Sequence, residues 1–399
     1  SAAREGRTLH IADAYAAEGY DFEGTKAFDA RTGYRSTSFL AVPMRDHEGT
    51  IIGVLQLINA IRNGQVAPFT DADELLAESL ASQAAITISQ RRLIDAQSKL
   101  FKSLIRTISD AIDAKSSHTG GHCRRVPHLS LMLADAAAAA TDGPLGAFRM
   151  SRADREELEI AAELHDCGKL ATPDHIVDKS TKLQTLFDRI ELVRTRFEVV
   201  KRDLELAGRA DPPTLEALAD DLRFLEVVNR GAERMPPEDQ ARVRAIASRS
   251  WTRDGERQPL LGSDEVENLC VTRGTLTDAE RAKINAHIET TIDMLEKLPY
   301  PRHLRRVPEY AGGHHERMDG RGFPRGLKGE DMSVQARIVA VADVFDALTS
   351  TRPYKRAWAM DAAFANLREG AGTLYDARCV EAFLGIEGEV REIAERIRH

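Results

Sequence analysis

The sequence predicts an α+β multidomain protein, in which a small α/β domain is joined by a long helix to an all-α helical bundle with a coiled-coil-like helical insertion. Three patterns lead to this prediction. Residues 37–60 have the apolar alternation of strands, an uninterrupted helical pattern runs from residue 75 to about residue 112, and helical spacing dominates the rest of the chain. The chain is therefore expected to have a mixed N-terminal part and a helical remainder.

The composition is typical of a soluble protein of two or three domains, with 399 residues and 42% hydrophobic content. The 55 basic and 63 acidic residues give a net charge of −8, which argues against a surface for nonspecific binding of a DNA or RNA duplex. No apolar run approaches the roughly 20 residues of a membrane span. The four cysteines form no C-x-x-C pair, so the cytoplasm is the expected compartment.

The first domain is expected over residues 1–90. Two runs rich in Leu, Val and Ile flank a turn at residues 46–49, which predicts a β-hairpin, and an Ala/Leu helix follows. This pattern resembles the later two-thirds of a GAF sensory domain, whose opening elements would precede Ser1. The domain is therefore expected to be N-terminally incomplete.

The GAF-like segment fits only part of the signature of cyclic-nucleotide-binding GAF domains. Ala60 replaces the lysine of that signature, although four other positions agree with it: Asn59, Phe69, Asp73 and Glu74. Because the same skeleton binds many ligands or none, we assign no ligand to this domain.

A connecting signalling helix is expected over residues 91–112, since no Gly or Pro interrupts it. Its apolar stripe consists of Leu93, Leu100, Leu104 and Ile108. The helix could pass a twist or a shift from a sensor to an output domain, as a parallel coiled coil in a dimer. It could equally be a rigid spacer.

Residues 184–273 are expected to form an insertion built on an antiparallel helical hairpin. Apolar side chains recur at alternating spacings of three and four over residues 183–204, as in a coiled-coil seam, and again over residues 215–225. A third helix is expected at about 237–250, followed by a loop around 251–263. The insertion is either an ordinary helical subdomain or a dimerisation or lever arm.

Two clusters, His165-Asp166 and His314-His315, indicate a metal site, because imidazole beside carboxylate is the donor set of borderline-hard divalent metals. Further candidates lie on segments that have helical patterns. These are His118 and His122, one turn apart; His287, in a helix that Thr277 and Glu280 would cap; and Asp343.

Four segments resemble the HD superfamily of metal phosphohydrolases and, more narrowly, its HD-GYP branch of cyclic dinucleotide phosphodiesterases. They are HTGGHCRRV at 118–126, HDCGKLATPDHIVDKSTKL at 165–183, LTDAERAKINAH at 276–287 and HHERMDGRGFPRGLKGEDMSVQARIVAVADVFDALTSTRPYK at 314–355. The catalytic domain is therefore expected over residues 100–183 and 274–399.

The resemblance implies a catalytic metal centre with Asp166 as the bridge between two ions. The implied metal ligands are His122, His165, Asp166, His287, His314, His315 and Asp343. His118 can also bind a metal, so the number of ions in the centre, two or three, stays open. Iron is the first choice and manganese the second, a metal-bridging hydroxide is the nucleophile, and Lys169 acts on a non-bridging phosphate oxygen.

The resemblance also implies substrate contacts. Arg352 and Lys355 match positions that meet substrate phosphates, and Phe323 stands where the branch usually has a tyrosine. The expected reaction is hydrolysis of cyclic di-GMP to linear pGpG, with GMP as a further product. The alternatives are the same chemistry on cyclic GMP-AMP, or a catalytically inactive cyclic-dinucleotide receptor, and a homodimer is expected in each case.

Overall fold

The computed structural model describes residues 1–115, 121–139, 145–351 and 357–397. The chain divides into two compact units, Ser1–Ser103 and Leu104–His399. Within the described ranges, no helix combines the length and the apolar character needed to cross a membrane.

The first unit is built on a three-stranded antiparallel sheet in the order β1-β2-β3. Its elements are α1 (Ala2–Glu5), β1 (Leu9–Ile11), α2 (Glu23–Thr32), β2 (Phe39–Arg45), β3 (Ile51–Ile58), the two-stranded ribbon β4 (Ala60–Arg62) and β5 (Gln65–Ala67), and the first part of α3 (Asp71–Lys115). The predicted hairpin is formed by β2 and β3. Its turn is fixed by the Asp46 carboxylate, which accepts hydrogen bonds from the backbone N–H groups of Glu48 (3.0 Å) and Thr50 (2.8 Å).

The helix α3 is 45 residues long and contains the whole of the connecting segment 91–112. Near its C-terminal end it contacts two other helices of the second unit. The Asp113 carboxylate accepts hydrogen bonds from the backbone N–H groups of Gly121 (2.9 Å) and Cys123 (3.3 Å), and the Ser109 hydroxyl donates to the Glu163 carbonyl (3.0 Å). These bonds satisfy free backbone groups at helix ends.

The second unit is helical, which confirms the predicted all-α bundle. Its helices before residue 270 are α4 (His122–Ala139), α5 (Arg152–Leu164), α6 (Asp174–Val177), α7 (Ile190–Leu206), α8 (Pro212–Asn229), α9 (Pro237–Ala247) and α10 (Ser263–Leu269). Those after it are α11 (Asp278–Asn285), α12 (His287–Glu296), α13 (Val307–Gly312), α14 (Val334–Thr349), α15 (Met360–Gly370), α16 (Ala377–Gly385) and α17 (Glu387–Ile397). Short 3₁₀ turns occupy Cys167–Ala171, Arg302–Leu304 and Gly329–Asp331.

The main apolar core of this unit lies between α4, α5 and the C-terminal helices. Phe345, Phe364 and Phe383 form its centre, with ring centroids 4.8 to 5.9 Å apart. This packing fixes α4 against α14, the two helices that carry His122 and Asp343.

The predicted insertion contains the helical pair α7 and α8, and the apolar seam of this pair packs within the same chain. Val193, Phe197 and Leu225 are buried in a core that also contains residues of α9 and α10. The prediction that the seam begins at Leu183 and continues through Leu186 is wrong, since α7 begins only at Ile190. Leu186 therefore lies outside the helix and is 95% exposed.

The expected loop around 251–263 is also corrected. The strands β6 (Ser250–Arg253) and β7 (Glu256–Pro259) form an antiparallel hairpin there, and α10 follows. Asp254 and Gly255 both have positive φ angles, 54° and 81°, the conformation that Asp-Gly favours in a two-residue hairpin turn. The Asp-Gly pair was the sequence signal for this hairpin.

Truncation of Leu225 tests whether the insertion has a core of its own. Leu225→Ala should lower the free energy of unfolding by about 2–5 kcal/mol, because the side chain is fully buried. Val227→Ala, at an exposed position of the same helix, should change it by less than about 0.5 kcal/mol. Urea unfolding followed by circular dichroism at two protein concentrations measures both; a Leu225 effect that grew on dilution would instead place this side chain between two chains.

Candidate metal centre

Five separate segments bring the predicted metal ligands into one buried cluster. His122 begins α4, His165 and Asp166 follow α5, His287 begins α12, His314 and His315 follow α13, and Asp343 lies in α14. All except the half-buried His315 are buried. Their donor atoms form three groups able to hold a metal, each within 4.8 Å: His287, His314 and His315; His122, His165 and Asp166; and His165, His314 and Asp343.

Asp166 lies between two pairs of histidines. Its Oδ2 atom is 3.5 Å from Nε2 of His122 and 3.4 Å from Nε2 of His165. Its Oδ1 atom is 3.1 Å from Nε2 of His287 and 3.9 Å from Nε2 of His314. The two oxygens of one carboxylate thus face opposite sides of the cluster.

Three of the histidines are oriented by the helix that precedes them. In each, Nδ1 contacts the backbone carbonyl three residues earlier, in the last turn of a helix, where carbonyls lack an intrahelical partner. The pairs are His165 with Ala162 (2.7 Å), His287 with Ile284, and His314 with Ala311 (2.6 Å). Because a carbonyl only accepts, Nδ1 carries the proton and Nε2 presents its lone pair to the cluster.

His122 is oriented by a carboxylate that sequence analysis missed. Its Nδ1 atom lies 2.8 Å from Oδ2 of Asp346, and Asp346 also accepts two hydrogen bonds from the Arg125 guanidinium (2.6 and 3.0 Å). A carboxylate behind a ligating histidine fixes the ring and raises its basicity. The sequence did contain an indication of this role, because Asp346 follows Asp343 by three residues and therefore lies on the same side of the helix.

His287 is not inside the helix where the sequence placed it. The capping box of Thr277 and Glu280 is present, but that helix, α11, ends at Asn285 and His287 begins α12. The break lets His287 bond back to the last turn of α11.

Gly168 lets the turn after Asp166 approach α12. A Cβ atom at this position would lie 2.0 Å from the His287 carbonyl oxygen, and the Gly168 N–H donates to the Thr291 hydroxyl (2.9 Å). Any side chain here would push Asp166 and His287 apart.

The buried polar atoms of the cluster fit a cationic ligand. Oδ1 of Asp166 and the Nε2 atoms of His287 and His314 are buried and have no hydrogen-bond partner among the described residues. Such atoms are costly to leave unpaired, and lone pairs converging from histidine and carboxylate are the donor set of divalent transition metals.

The electrostatics favour the same ligand. Burial alone would raise the pKa of Asp166, but Lys169 and the neighbouring imidazoles hold that pKa well below its usual range. Burial would lower the pKa of His165, but Asp166 raises it to about 9. Burial lowers the pKa of His315 to about 4, and burial together with His315 lowers that of His314 well below its usual value. The cluster thus contains an anionic carboxylate, an imidazole (His165) whose positive charge that carboxylate stabilises, and two imidazoles, His314 and His315, that burial keeps neutral.

The remaining predicted site residues are placed as follows. The Lys169 ammonium group bonds to the Asp166 carboxylate. Phe323 stacks on His315, with ring centroids 4.8 Å apart. His118, Arg352 and Lys355 lie outside the described residues.

Comparison with family models confirms the predicted domain types. The GAF domain model matches residues 1–88, and two HD domain models match residues 119–247 and 263–379. The first HD match extends into the segment that the sequence assigns to the insertion.

The chain is also similar to curated proteins. It is 59% identical over 127 residues to the cyclic di-GMP phosphodiesterase response regulator RpfG of Xanthomonas campestris, a match covering 32% of this chain and 33% of that protein. It is 38% identical over 137 residues to 3'3'-cGAMP-specific phosphodiesterase 3 of Vibrio cholerae (34% and 29%) and 38% identical over 130 residues to a cyclic di-GMP phosphodiesterase of Thermotoga maritima (33% and 35%). Each match spans about a third of the relative's length. These relatives confirm the resemblance to the HD-GYP branch.

Replacement of Asp346 tests the orientation of His122. Asp346→Asn should weaken metal binding about 10–100-fold, because His122 loses its charged partner while the side-chain volume is kept. Isothermal titration of metal-free protein with Mn²⁺ measures the effect. Asp361→Asn, which removes a carboxylate that is exposed and ion-paired only at the surface, is the control; equal affinities in both variants would contradict the role given to Asp346.

Proposed function

We propose that this chain, which carries a GAF domain followed by an HD domain, is a metal-dependent phosphodiesterase that hydrolyses a cyclic dinucleotide. Cyclic di-GMP is the first candidate substrate, linear pGpG the expected product and GMP a further product. The position of Asp166 supports the proposal most, because its two oxygens face two pairs of buried histidines.

The seven ligands of the cluster would hold at least two divalent ions, with Asp166 between them. Donor sets of histidine and carboxylate without thiolate favour iron, and manganese as the second choice. Metals bound there neutralise the charge of a phosphodiester, activate water and stabilise the leaving oxygen. A third ion would involve His118.

Among the residues that the structure describes, Lys169 is the predicted contact of the phosphate. It follows Asp166 by three residues, bonds to it, and lies at the edge of the cluster with 19% of its side chain exposed. From there its ammonium group can hold a non-bridging phosphate oxygen and stabilise the charge that develops on it. Arg352 and Lys355 remain predicted phosphate contacts, and Phe323 a predicted contact of the base.

The substrate could also be cyclic GMP-AMP, since relatives named for each of the two dinucleotides match this chain. Both have the same ring of two phosphodiesters, so the metal chemistry does not distinguish them. Competition between the two dinucleotides in one assay does.

Turnover after anaerobic loading with iron or manganese tests the proposal directly. The wild-type chain should convert cyclic di-GMP to a linear product, and Asp166→Ala should abolish this conversion because the carboxylate between the two histidine pairs is gone. Chromatography of the products measures both. Asp293→Ala, an exposed change on the helix that begins with His287, should keep full activity.

Two results would contradict this assignment. Normal turnover by the Asp166 variant would remove the role of that residue. Binding of metal and dinucleotide by the wild type without turnover would favour an inactive receptor.

The proposal includes a homodimer formed through α3. Large apolar side chains remain exposed along this helix, and an exposed apolar stripe on a long helix is the pattern of a coiled-coil interface. They include Leu93 (59% exposed), Ile94 and Leu100 (62% exposed). A second copy of the chain would cover them.

Charged substitutions on α3 test the dimer. Leu93→Glu combined with Leu100→Glu should convert a dimer to a monomer, because buried carboxylates would repel across the interface. Sedimentation velocity at micromolar concentration measures the change. Leu206→Glu, at an exposed apolar position of α7, is the control and should remain dimeric; a wild-type chain that sediments as a monomer would exclude this interface.

A further inference from the structure

Four of the five histidines in the described part of the metal centre are oriented in the same way. A hydrogen bond at Nδ1 fixes the ring and leaves Nε2 for the metal. Backbone carbonyls serve His165, His287 and His314, and the Asp346 carboxylate serves His122. Such partners behind the ligand set its orientation and tautomer.

His315 is held differently. Its ring makes no hydrogen bond to any residue that the structure describes. Instead, the Phe323 ring lies against it, with the ring centroids 4.8 Å apart and the planes 25° apart. This stacked geometry restricts the rotation of the imidazole about its χ2 angle, which is the freedom that Nδ1 hydrogen bonds restrict in the other histidines.

The loop that carries Phe323 is itself fixed to the segment that carries His315. The Phe323 N–H donates to the His315 carbonyl (3.3 Å). The buried carboxylate of Glu316, the next residue after His315, accepts hydrogen bonds from the N–H groups of Arg325 (2.7 Å) and Leu327 (2.9 Å). The position of the aromatic ring is therefore set by the same backbone that sets the ligand.

A glycine permits this close approach. A Cβ atom at Gly322 would lie 2.4 Å from Cα of Glu316, so no other residue allows the loop to pack this tightly. Phe323 therefore lies against His315 in a short loop that is closed by hydrogen bonds from backbone N–H groups.

We propose that Phe323 is a positioning residue that orients His315 for metal binding in the group His287, His314 and His315. The inference rests on the proposed metal-dependent function. It assigns the aromatic ring a role that requires no hydroxyl group, in agreement with a phenylalanine at this position. Contact of the Phe323 ring with a substrate base is not required for this role.

Metal binding in the absence of substrate tests the role. In full-length, metal-free protein titrated with Mn²⁺, Phe323→Ala should weaken one class of sites about 10–100-fold and leave the remaining sites unchanged. Phe323→Tyr keeps the ring and should bind as the wild type does. Phe323→Leu fills similar space without a flat ring, so it should also weaken Mn²⁺ binding at that class of sites. It replaces the alanine variant in the experiment if that variant does not fold. Phe187→Ala, an exposed aromatic position of the insertion, is the control.

A double-variant cycle separates positioning from a general loss of structure. His315→Ala should weaken the same class of sites, and adding Phe323→Ala to it should have no further effect on Mn²⁺ affinity, because both changes remove one interaction. Independent, additive losses would overturn the proposal. So would a Phe323→Ala variant that binds Mn²⁺ normally and shows only a raised KM, since the ring would then serve substrate alone.

These results are distinguishable from failure of the proposed function. If the wild type binds Mn²⁺ with the predicted dependence on Phe323 but hydrolyses no cyclic dinucleotide, the positioning role stands and the substrate assignment fails. If the wild type binds no divalent metal, both fail.

Discussion

The burial of the Asp166 carboxylate is the constraint on which the rest of the helical unit depends. A carboxylate that is 1% exposed must be compensated by nearby positive charge or by donors, because an isolated buried charge is very costly. Lys169 compensates one oxygen, whereas Oδ1 has no hydrogen-bond partner among the described residues and faces His287 and His314. The bundle therefore surrounds a centre that is complete only with a cation.

The helix ends of the bundle provide the geometry of this centre. An α-helix leaves carbonyls without partners in its last turn, and α5, α11 and α13 each use one of them to bind the histidine three residues later. Three imidazoles thereby receive the same tautomer from local backbone geometry, without further polar side chains. The fourth, His122, lies at a helix start and takes its partner from α14 instead. The apolar packing between α4 and α14 is thus part of the metal site, since it sets the distance between His122 and Asp346.

The segment between the two halves of the bundle is bound to them by buried polar contacts. The Lys179 ammonium group bonds to Glu280, the capping residue of α11, and to Asn268 of α10. Lys182 bonds to the carbonyls of Leu269 and Val271 (2.8 Å each), and burial lowers its pKa to about 8. These contacts fix the point at which the chain returns to α11 and hence the start of the segment that carries His287.

The sequence by itself determined the types of domain, the β-hairpin of the first unit, the long helix α3 and which histidines and aspartates form the candidate metal centre. These are local patterns: apolar alternation, uninterrupted helical spacing, and His-Asp and His-His pairs in recognisable segments. The sequence did not determine where α7 begins, because the apolar spacing of this helix continues into the turn that precedes Ile190. The β-hairpin at 250–259 was also missed, although Asp254-Gly255 is a strong hairpin signal. Only the tertiary structure decided which oxygen of Asp166 faces which histidine, that Asp346 supports His122, and that Phe323 lies on His315. The contacts of Asp166 and Asp346 join residues up to 224 positions apart, and their geometry follows from how the helices pack. The contact of Phe323 with His315 depends on how the loop after His315 closes.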